Sequence, residues 1–263
     1  MTPIPRLVGM VHLLPLPGSP GYGGSMQDVV ETAVADAGEL ASAGFPALMI
    51  ENFGDVPFHV DSVAAETISA ITMAVGSVIE ATSLSIGVNV LRNDVLAALG
   101  IAAATGATFV RANVLTGVMY TDQGPIVGRA AEVLRKRQHL VDDVEIWADV
   151  MVKHAAAPFG VDIRQAASDT IERGLADAVI VSGSGTGAEP DIHETTIVRA
   201  SVPQDTRVVI GSGASIDNLA GLMDVADTVI VGSAIKVDGD ANNRVDPGRA
   251  TQFAQIAGEH GLT

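Results

Sequence analysis

Cysteine is absent from this 263-residue sequence. That excludes disulfide staples, thiolate metal centres and cysteine nucleophiles together. Aromatic residues amount to 3%, too few for an aromatic-rich docking surface. Lysine is nearly missing too: Lys136, Lys153 and Lys236 are the whole set, and the other basic residues are arginine. Fifteen basic residues face 31 acidic ones, for a formal net charge of −16. A chain without clustered cations cannot neutralise a phosphate backbone, which argues against nucleic acid as a partner. A dense acidic surface short of lysine reads instead as adaptation to a salt-rich cytoplasm, where counter-ions screen self-repulsion. No apolar stretch reaches the roughly 20 uncharged residues that a bilayer-spanning helix needs, so no integral membrane segment is expected. The opening Met1-Thr2-Pro3-Ile4-Pro5-Arg6 lacks the layout of a signal peptide, and a cytoplasmic location is expected.

What remains is a chain rich in core-forming residues, 48% hydrophobic. Short β-branched runs alternate with longer Ala-rich segments whose apolar positions recur every three to four residues. Strands are expected at Leu7–Val11, Ala47–Glu51, Leu84–Val90, Phe109–Ala112, Glu145–Asp149, Ala178–Ser182, Arg207–Gly211 and Thr228–Gly232. Helical patterns fall near Asp28–Ala43, Val60–Thr82, Asp94–Thr105, Gly128–His139, Ile163–Arg173, His193–Ala200, Ile216–Met223 and Pro247–His260. The strands are continuously apolar, as parallel strands covered on both faces should be. Gly44, Gly106 and Gly174 stand just before strands, where a helix ends in a left-handed residue. Eight strand–helix units without a linker predict an α/β fold, a single (β/α)8 TIM barrel over residues 1–263. The rival is an open dinucleotide-binding sheet. It fails because Gly183-Ser184-Gly185-Thr186-Gly187 has the wrong glycine spacing and follows the sixth strand, not the first.

In such a barrel the loops after the strands build the site. These loops collect polar and cationic residues, whereas the loops before the strands carry mainly Ala, Gly and acidic residues. Glu51 and Asp149 end strands and are candidates for a general base or for magnesium ligands. Arg111 and Asn113, two apart, point into the barrel mouth together, either toward a substrate or into an ion pair that closes the barrel top. Lys153 and His154 follow the fifth strand, with lysine able to hold an oxyanion or, if desolvated, to form a Schiff base. His12, Asn89 and Arg92 are further substrate contacts. The last two strands stop at Gly211-Ser212-Gly213 and Gly232-Ser233, the positions where barrels commonly hold a phosphate against exposed N–H groups. Lys236 is expected to assist there, and Gly183, Gly185, Thr186 and Gly187 to supply a second anion contact or a lid. No histidine spacing suits a transition metal, so magnesium is the one metal expected to bind if any does.

The segments "GMVHLLPLPGSP" (9–20), "ENFGDVPF" (51–58), "GVNVLRND" (87–94), "FVRANVLTG" (109–117), "ADVMVKHA" (148–155) and "VSGSGTG" (181–187), with the closing "IVGSAIKVDG", resemble the BtpA/SgcQ family over nearly the whole chain. The resemblance implies a ribulose-phosphate-binding-like barrel. It also implies either an enzyme of unassigned chemistry or, as for the family's cyanobacterial namesake, a role in photosystem I biogenesis. No catalytic residues carry over from it. The expectation from the residues is an enzyme acting on a small phosphorylated metabolite by proton transfer or C–C/C–O cleavage, with a homo-oligomer left open. A phosphometabolite sensor and an assembly factor are the alternatives.

Overall fold

The computed structural model describes residues 5–183 and 191–262. In chain order its elements are β1 Leu7–His12, α1 Met26–Ala43, β2 Ala47–Glu51, α2 Ala65–Ala81, β3 Ser85–Asn89, α3 Val95–Thr105 and β4 Phe109–Ala112. Next come β5 Val118–Thr121, β6 Gly124–Val127, α4 Ala130–Leu140, β7 Glu145–Asp149, β8 Ala155–Ala156 and α5 Ile163–Ser168. The chain continues through β9 Ala178–Val181, α6 Ile192–Ala200, β10 Arg207–Ile210, α7 Leu219–Met223, β11 Thr228–Val231 and α8 Pro247–Glu259. Eight strands close into a parallel barrel in the order β1-β11-β10-β9-β7-β4-β3-β2. This is the TIM barrel that the strand–helix alternation predicts.

Side chains alternate across each strand, and this alternation builds the barrel interior. Val8, Met10, Ala47, Met49, Phe109, Trp147, Ala178, Ile180, Val209 and Ile230 form one buried cluster. Phe109 and Trp147 stack at 4.2 Å. Gly87 on β3 is needed because any Cβ would collide with the Phe109 ring. Below Trp147 the barrel floor is sealed by Arg207 and Glu145, paired at 2.7 Å. The Trp147 Nε1–H also donates to Glu145. The opposite strand faces pack Leu, Val, Ile and Ala against the surrounding helices in a larger apolar shell.

Helix ends follow their local signals. Ser25 caps α1, Asp94 caps α3, and Asp246 caps α8 with Pro247 in its first turn. Gly44 and Gly106 close α1 and α3 with φ of 99° and 86°, as expected of left-handed glycines. At Gly174 the expectation fails: its φ is −79°, and Leu175 takes the positive angle instead. Gly174 is demanded by packing, since a Cβ there would strike the Thr170 carbonyl and the Thr116 side chain. The pattern expected to be helical from Val60 becomes helix only at Ala65, after a stretch whose Val63 N–H donates to Asp94. A three-stranded antiparallel sheet, β6-β5-β8, stands where a plain loop is expected. It hangs a hairpin beside the barrel mouth.

Candidate functional site

Continuing each strand's inward row by one step makes the next layer polar. Val8 and Met10 lead to His12, Ala47 and Met49 to Glu51, Gly87 to Asn89, and Phe109 to Arg111 and Asn113. Trp147 leads to Asp149, Ile180 to Ser182, Val209 to Gly211, and Ile230 to Gly232. The site is therefore the top layer of the barrel, placed by strand period rather than by loop shape.

Two cavities open into this layer. The first, about 430 Å³, is lined by His12, Glu51, Phe53, Arg111, Lys153, Gly211–Ser215 and Gly232–Ala234, with Met10 and Gly239. The second, about 480 Å³, is lined by Glu51, Phe53, Val56, Phe58, Leu91, Arg92, Arg111, Asn113, Asp122, Lys153 and His154. They share Glu51, Phe53, Arg111 and Lys153.

The Gly-Ser wall of the first cavity has unused donors. Ser212 is 8% exposed, and its Oγ has no hydrogen-bond partner among the described residues. Among the described residues the N–H groups of Gly213, Ala214, Ser233 and Ala234 also lack partners in the backbone network. Gly213 has φ 78°, which favours glycine whatever binds there. Gly211 is needed for packing, because a Cβ would collide with Ile180 and Ser182 and crowd Arg111. Gly232 differs: a Cβ there would meet only Met10 and His12, at 3.5 and 3.6 Å, which is ordinary contact. Gly211 and Gly213 thus have structural reasons, while Gly232 fronts open space in the cavity.

Glu51 is 6% exposed and accepts from Asn89 Nδ2 at 2.5 Å. Its other oxygen lies 3.9 Å from His12 Nε2. His12 Nδ1 is 2.8 Å from the Ala241 carbonyl, which can only accept, so Nδ1 carries the proton and Nε2 a lone pair. Burial, only partly offset by Glu51, lowers the His12 pKa to about 4. His12 and Glu51 are therefore not an ion pair at neutral pH. The imidazole stacks on Phe53 at 4.3 Å.

Arg111 is 3% exposed and binds Asp149 through two bonds of 2.8 Å, Nε to Oδ2 and Nη2 to Oδ1. Asn113 and Ser182 donate to the same carboxylate. Both Asp149 oxygens are thus engaged by Arg111, Asn113 and Ser182, unlike the open carboxylate expected of a base or magnesium ligand. Its charge is spent on holding Arg111 at the barrel mouth. Glu51 retains an oxygen toward the cavity. Among the described residues no three His, Asp or Glu side chains gather as metal ligands.

Lys153 lines both cavities, and its ammonium makes no hydrogen bond to a described residue. Burial pushes it below the usual lysine range, and Arg111 adds to the effect against the pull of Glu51 and Asp149. His154 is exposed beside it, at the positive φ of 55°. Burial, then Lys153, lowers the His154 pKa.

Lys236 stands away from the place expected of it. It is fully buried, and its Nζ lies 3.2 Å from Asp36 of α1, while Arg244 holds the other Asp36 oxygen. Its charge is used inside the α1 contact and it lines neither cavity. Gly183 is buried just after β9, also outside both cavities. Gly185, Thr186 and Gly187 lie outside the described residues. Sequence reasoning missed Phe53 and Ser182. Both sit next to residues singled out, and Ser182 follows from the inward row of β9.

With this geometry in place, a comparison by family profile matches residues 5–259 to the BtpA family. The chain belongs to the BtpA family. It is 47% identical to the uncharacterized protein TK2179 of Thermococcus kodakarensis, over 96% of this chain and 95% of that protein. It is 45% identical to the photosystem I biogenesis protein BtpA of Synechocystis, over 96% of this chain and 88% of that protein. Among solved structures, thiamine phosphate pyrophosphorylase from Pyrococcus furiosus superposes with a TM-score of 0.57 at 14% identity. That match covers 97% of this chain and 96% of that one, and it shows a shared barrel fold. No helix among the described residues is long and apolar enough to cross a membrane.

Proposed function

We propose that this BtpA-family barrel is an enzyme that binds a small phosphorylated metabolite across the two cavities, with its phosphoryl group against the ends of β10 and β11. The observation that carries this reading is the unpartnered donor set, Ser212 Oγ with the nearby N–H groups of Gly213, Ala214, Ser233 and Ala234. Buried polar groups in native proteins are almost always satisfied, so the buried Ser212 Oγ left open on a cavity wall, with N–H groups around it, points to a ligand rich in acceptors. The name of the Pyrococcus barrel, which contains a phosphate ester, supports the same class of ligand.

Beyond the phosphate, Glu51 is the carboxylate that faces both cavities and serves as general base. The Lys153 ammonium stabilises negative charge that develops on the substrate oxygen, and Asn89 fixes the carboxylate rotamer. Arg111, held by Asp149, contributes a fixed positive potential without changing partners. This arrangement suits proton abstraction next to a carbonyl, as in isomerisation or aldol-type cleavage.

A thermal-shift screen tests the reading with phosphorylated sugars and their unphosphorylated partners. A ligand at about 100 times its Kd adds roughly 2.7 kcal/mol of stability. Only the phosphorylated members should shift the transition, and Gly232→Asp should remove the shift while leaving the unliganded melt intact. If no phosphorylated compound shifts a well-folded sample, the Gly-Ser steps are turns. An assembly role like that named for the Synechocystis relative then takes precedence.

A further inference from the structure

Four basic side chains are buried among the described residues: Arg92, Arg111, Arg207 and Lys236. Three have a carboxylate within ion-pairing distance, Arg111 with Asp149, Arg207 with Glu145 and Lys236 with Asp36. Arg92 does not. It is 5% exposed, and its side chain makes one hydrogen bond among the described residues, from Nη2 to the Lys153 carbonyl at 2.7 Å. Asp149, Glu51 and Asp122 act on Arg92 only from beyond contact distance, and a buried guanidinium without a contacting counter-ion is a costly arrangement that proteins normally avoid. Arg92 faces the second cavity beside Lys153, which also has no carboxylate partner among the described residues. In the same wall Asn113 is 2% exposed. Its Nδ2 donates to Asp149, and its Oδ1 accepts nothing from the described residues. Asp122 of the hairpin, the one carboxylate on the outer rim among the described residues, is exposed and held by Gln123.

We propose that Arg92 and Lys153 form a second oxyanion subsite, so that the ligand carries two anionic groups, one on the Gly-Ser wall and one in the second cavity. This rests on the phosphate reading above and specifies its ligand class. The second group is a carboxylate or a second phosphate, since a guanidinium fork and an ammonium accept either. Asn113 Oδ1 needs a donor, which a hydroxyl next to that group supplies. Phosphorylated sugar acids and sugar bisphosphates meet these requirements, and simple sugar monophosphates do not. Because the two cavities share Glu51 and Lys153, the carbons between the two anions would lie against the base.

Calorimetric titration of the full chain tests this with four probes: inorganic phosphate, ribose 5-phosphate, 6-phosphogluconate and ribulose 1,5-bisphosphate. In the wild type at least one doubly anionic probe should bind about tenfold or more tighter than ribose 5-phosphate, and which one identifies the second group. Arg92→Gln should erase that advantage while changing the affinity for ribose 5-phosphate by less than about twofold. Arg92→Lys, which keeps the charge, should retain part of the advantage and guards against a simple loss of folding. Equal affinity for singly and doubly anionic probes overturns the second subsite, as does an Arg92→Gln variant that weakens all probes equally. If inorganic phosphate and ribose 5-phosphate both fail to bind, the phosphate reading itself falls and takes this inference with it.

Discussion

Replacing Asp149 by asparagine separates a counter-ion from a reacting carboxylate. The substitution keeps the side-chain volume, so it opens no cavity. It removes the charge opposite a guanidinium that is 3% exposed and linked by two bonds of 2.8 Å. It also turns one accepting oxygen into an N–H donor facing the N–H groups of Arg111. Breaking a buried pair by removing one partner costs about 3–5 kcal/mol. At about 2–4 °C per kcal/mol for chains of roughly this size, the midpoint should fall by roughly 6–20 °C. The assay is thermal unfolding followed by circular dichroism at constant salt. The double variant Arg111→Met/Asp149→Leu, which removes both charges, should melt above either Arg111→Met or Asp149→Leu alone. An Asp149→Asn protein that melts within about 2 °C of the wild type but loses ligand binding refutes the reasoning. Asp149 would then act on the ligand rather than on Arg111.

Three other outcomes follow from the site. The His12 pKa is lowered to about 4, so as pH falls the unfolded chain takes up this proton first. Stability from the neutral imidazole is complete above about pH 6.5 and is lost by about pH 4, a change of roughly 3 kcal/mol. Urea unfolding near pH 7 and near pH 4.5 should show a smaller loss for His12→Gln than for the wild type, and equal losses would sink the assignment. Ser212→Ala removes a buried hydroxyl that has no partner among the described residues, so its stability should stay within about 0.5 kcal/mol or rise, while phosphate binding weakens roughly tenfold. A variant that loses stability but not affinity would place the hydroxyl in the fold instead. Finally, the net charge of −16 predicts a melting temperature that climbs as potassium chloride rises from about 0.1 M to about 2 M, whereas a flat profile contradicts salt adaptation.

The barrel was legible because its strands are continuous apolar runs between helical patterns, two of which end in left-handed glycines, and every expected strand is found with ends shifted by at most one residue. Most of the site was legible for a second reason. Strand alternation carries the inward row from Met49 to Glu51 and from Ile230 to Gly232 without knowledge of any partner. Partners are what the sequence conceals. Lys236 follows the last strand just as a phosphate-binding lysine would, but Asp36, 200 positions earlier, consumes its charge. Asp149 has the right place, but Arg111, 38 positions earlier, consumes both of its oxygens. The hairpin of β5 and β6 escaped notice because each strand has four residues and Pro125 interrupts the second. An edge strand tolerates that proline, which local pattern alone reads as a loop. The difference between Arg92 and Arg111 was equally hidden, since only the folded chain shows which guanidinium has a carboxylate.

The most direct test is a crystal structure of the chain with the best phosphorylated ligand from the screen. The account predicts a phosphoryl group within hydrogen-bond distance of Ser212 Oγ and of the N–H groups of Gly213 and Ser233, with the substrate carbons against Glu51. A phosphoryl group bound elsewhere, with Ser212 Oγ still unpartnered, would contradict it.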